Sequence, residues 1–295
     1  MIPPRVILAP VDFSEPSRTA LATAGRLARH TGATLVTVYA ENPLLAEAAK
    51  QANIDMPSDT ARELEQFIAS TPSAAALSPR RHVGTGAPVD VIVEASRELN
   101  ADLVVVGSHG MSGAARFVFG STTEGVLRKA PVSVLMTPAA WTPAQPTASD
   151  MAGTGPIVAA VDFSAESLAA AKAACRLAAA LKTEVVLVHV VAGLVARDKW
   201  QPHAEAVVRD RASEARTQLD SLAQTLASPV PVATRVETGD VATELAAVAA
   251  PGTTTHPLLI LGRKAPGQRD GAPGAIAYRV LMLAQVPVLV HVEHA

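Results

Sequence analysis

DLVVVGSHGMSGAARFVFGSTTE, from Asp102 to Glu124, joins an apolar run to a helical one through a set of glycines. Leu103 to Val106 has the length and the Val/Leu content of a buried strand, and Gly107 ends it. Two residues separate it from Gly110, nine more intervene, and Gly120 with Ser121 opens a helical segment. Glycine lets a backbone approach a ligand closely, and the amides and dipole at a helix N-terminus favour negative charge. A strand, a glycine-bearing loop and a helix start in this order suit an anion, and a phosphate chain in particular.

Working outward from this stretch, the chain repeats itself. Val11-Asp12-Phe13-Ser14 recurs as Val161-Asp162-Phe163-Ser164, each copy after an apolar run and before an alanine-rich one. In the same order, Val36 to Tyr39 matches Val186 to His189, Thr85-Gly86 matches Thr238-Gly239, and Leu103 to Gly107 matches Leu258 to Gly262. A period of about 150 residues is the size of a domain and too long for a solenoid repeat. Two domains are therefore expected, at 1–138 and 156–295. Residues 139–155, rich in Pro, Thr and Ser with no apolar period, read as a linker.

Within the first half, strands are expected at Arg5 to Ala9, Thr34 to Tyr39, Arg80 to Val83, Leu103 to Val106 and Ser133 to Met136. Helices are expected from Ser14-Pro16, over Thr60 to Ala69, from Pro88, and from Ser121. Strands that are apolar on both faces and alternate with helices call for an α/β fold, with a parallel sheet covered on both sides. Such sheets bind ligands beyond the strand C-termini, where the strand order reverses. Asp12 and Gly107 both lie just past strand ends, so they meet at that crevice if the first and fourth strands are neighbours.

Of 295 residues, 49% are hydrophobic and the formal net charge is −2. Adjacent basic residues in the first half amount to short pairs such as Arg80-Arg81, far short of a nucleic-acid surface. No apolar run reaches the roughly 18 residues of a membrane span, and no signal-peptide pattern precedes the first strand. The expectation is a cytoplasmic protein with no nucleic-acid and no membrane partner. Its single cysteine, Cys175, reads as a small core filler among alanines. His291 and His294 read as a frayed tail rather than a metal pair.

The ordered set of motifs resembles the universal stress protein family in its tandem two-domain form. The resemblance rests on Pro10-Val11-Asp12-Phe13-Ser14, on the spacing from Gly107 through Gly110 to Gly120-Ser121, and on Ala130 to Leu135 at the last strand. It implies Rossmann-like domains related to the adenine nucleotide α-hydrolases, each a five-stranded parallel sheet of order 3-2-1-4-5 with helices on both faces. It also implies binding of ATP, ADP or AMP. Carried over, Asp12 and Pro10 would meet the adenosine part and the Ala40 backbone the adenine. Gly107 and Gly110 would line the ribose and phosphate path, and Gly120, Ser121 and the Thr122 amide would hold phosphates. His109 and Arg116, inside the loop, are candidates for phosphate charge. Magnesium would accompany ATP.

Each position also has a plainer reading. Asp12 before Ser14 suits a helix entry by capping alone, and Gly107 with Gly110 suits a tight turn. His109 and Arg116 also suit solvated positions, and Phe117, Val118 and Phe119 read as packing residues. Other chemistries lack their parts: there is no GxxxxGK[ST] loop, no glycine fingerprint after either first strand, and no GxSxG elbow.

In the second half the hydroxyls are gone. Gly274 stands opposite Gly120, Ala275 opposite Ser121, Ile276 opposite Thr122, and Ala265 opposite Gly110. One good nucleotide site per chain is expected, in the first domain. No general base is evident, so the expected output is a conformational or association state in stress response. A slow or autophosphorylating ATPase is the alternative reading. Another is a nucleotide-independent pseudo-dimer that recruits a protein partner, since tandem copies mimic a homodimer.

Overall fold

The computed structural model describes residues 2–108, 119–139, 141, 154–194, 196–250, 256–264 and 273–293. The described residues up to Trp141 form one compact unit, and those from Thr154 onward form a second. The second unit's first strand begins at Thr154, inside the stretch expected to be linker.

The first unit runs β1 (Val6–Pro10), α1 (Glu15–Thr31), β2 (Thr34–Glu41), α2 (Pro43–Gln51), α3 (Met56–Ala69), α4 (Pro72–Ala75), β3 (Arg80–Thr85), α5 (Pro88–Glu98), β4 (Leu103–Gly107), α6 (Ser121–Lys129) and β5 (Ser133–Thr137). Its strands lie in the order β3-β2-β1-β4-β5, and these neighbours all pair in parallel. Ile7 pairs with Leu35 on one side and with Leu103 on the other, so β1 and β4 are neighbours. The Asp102 carboxylate helps set that pairing by accepting from the Arg5 and Val6 amides at 2.8 and 3.2 Å. Every residue of β4 is buried, as are Ile7, Leu8 and Ala9 of β1. Alternating side chains of both strands are therefore covered on both faces, which is why their sequences are unbroken Val/Leu/Ile runs.

Local signals fix the helices. Ser14 caps α1 by accepting from the Ser17 amide, Pro16 sits in its first turn, and Gly32 ends it at φ 71°. Three alanines of α1, Ala20, Ala24 and Ala28, are buried. Two helices went unread in the sequence, α2 and α4, both opened by a proline after Asn42 or Thr71. They are short, and α2 buries none of its residues, so no apolar period marks it. Likewise α3 begins four residues before the expected Thr60, because Asp55 caps it through the Ser58 amide and hydroxyl.

The second unit repeats the plan: β6 (Thr154–Ala160), α7 (Ala165–Leu181), β7 (Val185–Ala192), α8 (Gln201–Thr225), β8 (Val232–Gly239), α9 (Val241–Val248), β9 (His256–Arg263), α10 (Ala275–Leu283) and β10 (Val288–Val292). Its order is β8-β7-β6-β9-β10, again parallel. Pro156 has no amide to donate, and the β6–β9 ladder shifts register between Thr154 and Ile157. Cys175 is buried in α7, as a core filler should be. His291 is no frayed tail: it lies within β10 and is buried. A strand that pairs along its whole length leaves no room for fraying there, while His294 lies outside the described residues.

Candidate functional site

In the first unit the chain leaves the neighbouring strands β1 and β4 in a crevice beyond their C-terminal ends. The Val11 amide still donates to the Val38 carbonyl at 2.8 Å, and the chain then turns sharply. Phe13 takes φ 62°, a left-handed conformation unfavourable for a bulky residue. Hydrogen bonds hold the turn. Asp12 Oδ1 accepts from the Ser14 amide at 3.1 Å and the Ser14 hydroxyl at 2.5 Å, and the Ser17 hydroxyl donates to the Ser14 carbonyl at 2.9 Å. The Phe13 ring packs 5.1 Å from Tyr39 and edge-on, at 5.6 Å, to Phe67. Asp12 thus does serve the helix entry through one oxygen, and it also lines a cavity of about 430 Å³.

That cavity gathers Pro10 and Asp12 from the end of β1 and Ala40 from β2. Gly107 reaches it from β4, and Gly120, Ser121 and Thr122 from the start of α6. His109, Gly110 and Arg116 lie outside the described residues, as do Phe117 and Val118. Phe119 is half-buried. The sequence reading missed Phe13, Tyr39, Asn42, Leu45, Pro88, Ile92 and Thr123, which also line the cavity. Phe13 had a visible signal, its recurrence as Phe163; Leu45 and Ile92 had none, since only the packing of α2 and α5 brings them there. Burial, then the charges of Glu63, Glu41 and Asp12, push the Tyr39 phenol up from its usual pKa.

Gly107 owes its identity to packing as well as to the cavity. A Cβ there would stand 2.7 Å from the Pro16 carbonyl oxygen, so the first turn of α1 lies directly on the strand end. Gly120 occupies the cap position of α6 with φ −58° and offers no side-chain oxygen to the first-turn amides. Its own amide donates to the Ser108 carbonyl at 3.0 Å, and the buried Thr123 hydroxyl donates to the Gly107 carbonyl at 2.7 Å. These two bonds aim the start of α6 at the crevice. The arrangement offers a carboxylate at one end and a helix N-terminus flanked by two hydroxyl residues at the other.

The second unit has a matching cavity of about 480 Å³. Asp162 Oδ1 accepts from the Ser164 amide at 3.0 Å and its hydroxyl at 2.5 Å, and Phe163 again has a positive φ of 64°. Burial pushes the Asp162 carboxyl up, but hydrogen bonds from Ser164 and Ser167 outweigh this and leave it below the usual value. His189 replaces Tyr39; its ring lies 4.9 Å from Phe163, and Nδ1 is 2.7 Å from the Val161 carbonyl oxygen. At the other end Gly274 caps α10, and Ala275, Ile276 and Ala277 line the cavity. Arg279 of α10 grips Asp240, the cap of α9, with two bonds of 3.0 and 2.9 Å, which helps hold the Asp240 pKa at about 2. Arg263, buried where the first unit has Ser108, is drawn down to about 10 by desolvation, against a raising effect from Tyr278.

Two parallel α/β units, each with its crevice between the first and fourth strands, define a class of tandem Rossmann-like proteins. The model of the universal stress protein family matches residues 4–138 and again 153–291, and the chain belongs to that family, in its two-domain form. It is 29% identical over 134 residues to the universal stress protein A homolog 1 of Coxiella burnetii, covering 44% of this chain and 92% of that one. A universal stress protein from Archaeoglobus fulgidus superposes with a TM-score of 0.68 at 20% identity, covering 97% of this chain and 98% of that one. One from Pseudomonas aeruginosa superposes at 0.59 and 18%, covering 98% and 93%. At these identities the two structures speak to fold alone.

Proposed function

We propose that the first unit binds an adenine nucleotide, ATP foremost, and that the protein acts in stress response through the conformation or association that the nucleotide stabilises. One observation carries the reading: Pro10, Asp12, Ala40, Gly107 and Gly120 to Thr122, drawn from four separate segments, line a single cavity at the strand switch point. The first-turn amides of α6 and the Ser121 and Thr122 hydroxyls suit phosphate oxygens, which accept only. The Asp12 carboxylate suits hydroxyl or amine donors of the nucleoside. Magnesium enters with the triphosphate, keeping most of its waters. The protein works in the cytoplasm under this reading, alone or with a second copy or another protein.

The test is nucleotide titration of the purified chain, with mass spectrometry of whatever co-purifies. Wild type should bind ATP, and Gly120→Val with Ser121→Ala should weaken it at least about tenfold, the loss of one or two charge-assisted hydrogen bonds. Equal affinity in both proteins would overturn the proposal.

A further inference from the structure

The two cavities agree at one end and differ at the other. Both carry the same carboxylate, held by the same serine turn, beside a phenylalanine in a left-handed conformation. Resting on the nucleotide reading of the first unit, we infer that the cavity of the second unit binds an adenine nucleoside without its phosphates.

The nucleoside end is retained and altered. A carbonyl oxygen only accepts, so the 2.7 Å contact with Val161 makes His189 Nδ1 the protonated nitrogen. In the neutral ring Nε2 is then an acceptor, which complements an exocyclic amine such as that of adenine. Asp162, held ionised by its serine partners, offers a second acceptor for sugar hydroxyls.

The phosphate end keeps a helix start capped by glycine but loses its hydroxyls. Ala275 and Ile276 stand where the first unit has Ser121 and Thr122, and the Ile276 side chain, 50% exposed, puts an apolar group where phosphate oxygens would need donors. Arg279, one residue type that answers a phosphate well, already has both terminal nitrogens on Asp240. A triphosphate would lie against Ile276 with no hydroxyl from Ala275 or Ile276 to meet it; a nucleoside ends short of that point.

The experiment is equilibrium dialysis of labelled adenosine against the full chain, with and without saturating magnesium ATP, beside an ATP titration alone. One adenosine per chain should remain bound in excess ATP. Asp162→Asn and His189→Phe should each weaken that binding at least about tenfold, while melting curves report that the variants are folded. The exposed pair Ala275→Ser with Ile276→Thr should raise the ATP stoichiometry from one towards two. Displacement of adenosine by ATP, two ATP per wild-type chain, or no adenosine bound would each overturn the inference. Failure of the nucleotide reading of the first unit shows separately, as no ATP bound in the titration without adenosine.

Discussion

Replacing Gly107 by alanine tests how the crevice is built. The added Cβ would lie 2.7 Å from the Pro16 carbonyl oxygen, 2.8 Å from its carbon and 2.9 Å from its Cβ. Two of these atoms are backbone, so no rotamer change relieves the clash. To reach ordinary contact, the first turn of α1 must move by about 0.7 Å, and overpacking of this kind costs about 1–3 kcal/mol. For a unit of this size that lowers the melting temperature by roughly 3–12 °C. The moving turn carries Ser14, which holds Asp12, so nucleotide affinity should fall with stability. Two relatives calibrate the effect. Gly262→Ala, whose Cβ would run into the Glu166 carbonyl, should destabilise the second unit at least as much. Gly274→Ala, with nothing within 4 Å, should change stability by less than about 0.5 kcal/mol. Thermal melts and an ATP titration of the three variants suffice. A Gly107→Ala protein that melts and binds like wild type would refute the packing argument.

Further outcomes follow from single bonds. Thr123→Val removes the 2.7 Å hydrogen bond to the Gly107 carbonyl at nearly constant volume; the first unit should lose about 1 kcal/mol or more in denaturant titrations, and an unchanged midpoint would remove the bond from the account. Asp162, whose pKa is lowered on folding, stabilises the second unit above the unfolded carboxylate value and loses that contribution as pH falls through the folded one. Melts from pH 7 downward should therefore show Asp162→Asn below wild type at neutral pH and the gap closing in acid; a gap independent of pH would contradict the hydrogen-bond origin of the shift.

Much of the fold was legible because its signals are local or periodic. Val/Ile/Leu runs marked the strands, Ser14 and Ser164 the entries of α1 and α7, and the recurrence of Val-Asp-Phe-Ser the two copies. The misses have the same cause in reverse. With no buried residue, α2 has no apolar stripe to read, and His291 near the chain's end looked loose because its pairing with β9 is a long-range fact.

For the site, residue types alone determined that a carboxylate follows the first strand, that glycine and hydroxyl residues open α6, and that the second copy has lost those hydroxyls. Tertiary structure decided the rest. It set β1 beside β4, so that Asp12 and Gly107, far apart in the chain, share one cavity. It made Gly107 a packing necessity under Pro16, and brought His189 onto the Val161 carbonyl and Arg279 onto Asp240. The physical reason is that residue chemistry and short-range capping are written along the chain, whereas proximity across a parallel sheet arises only when the buried strands close against one another.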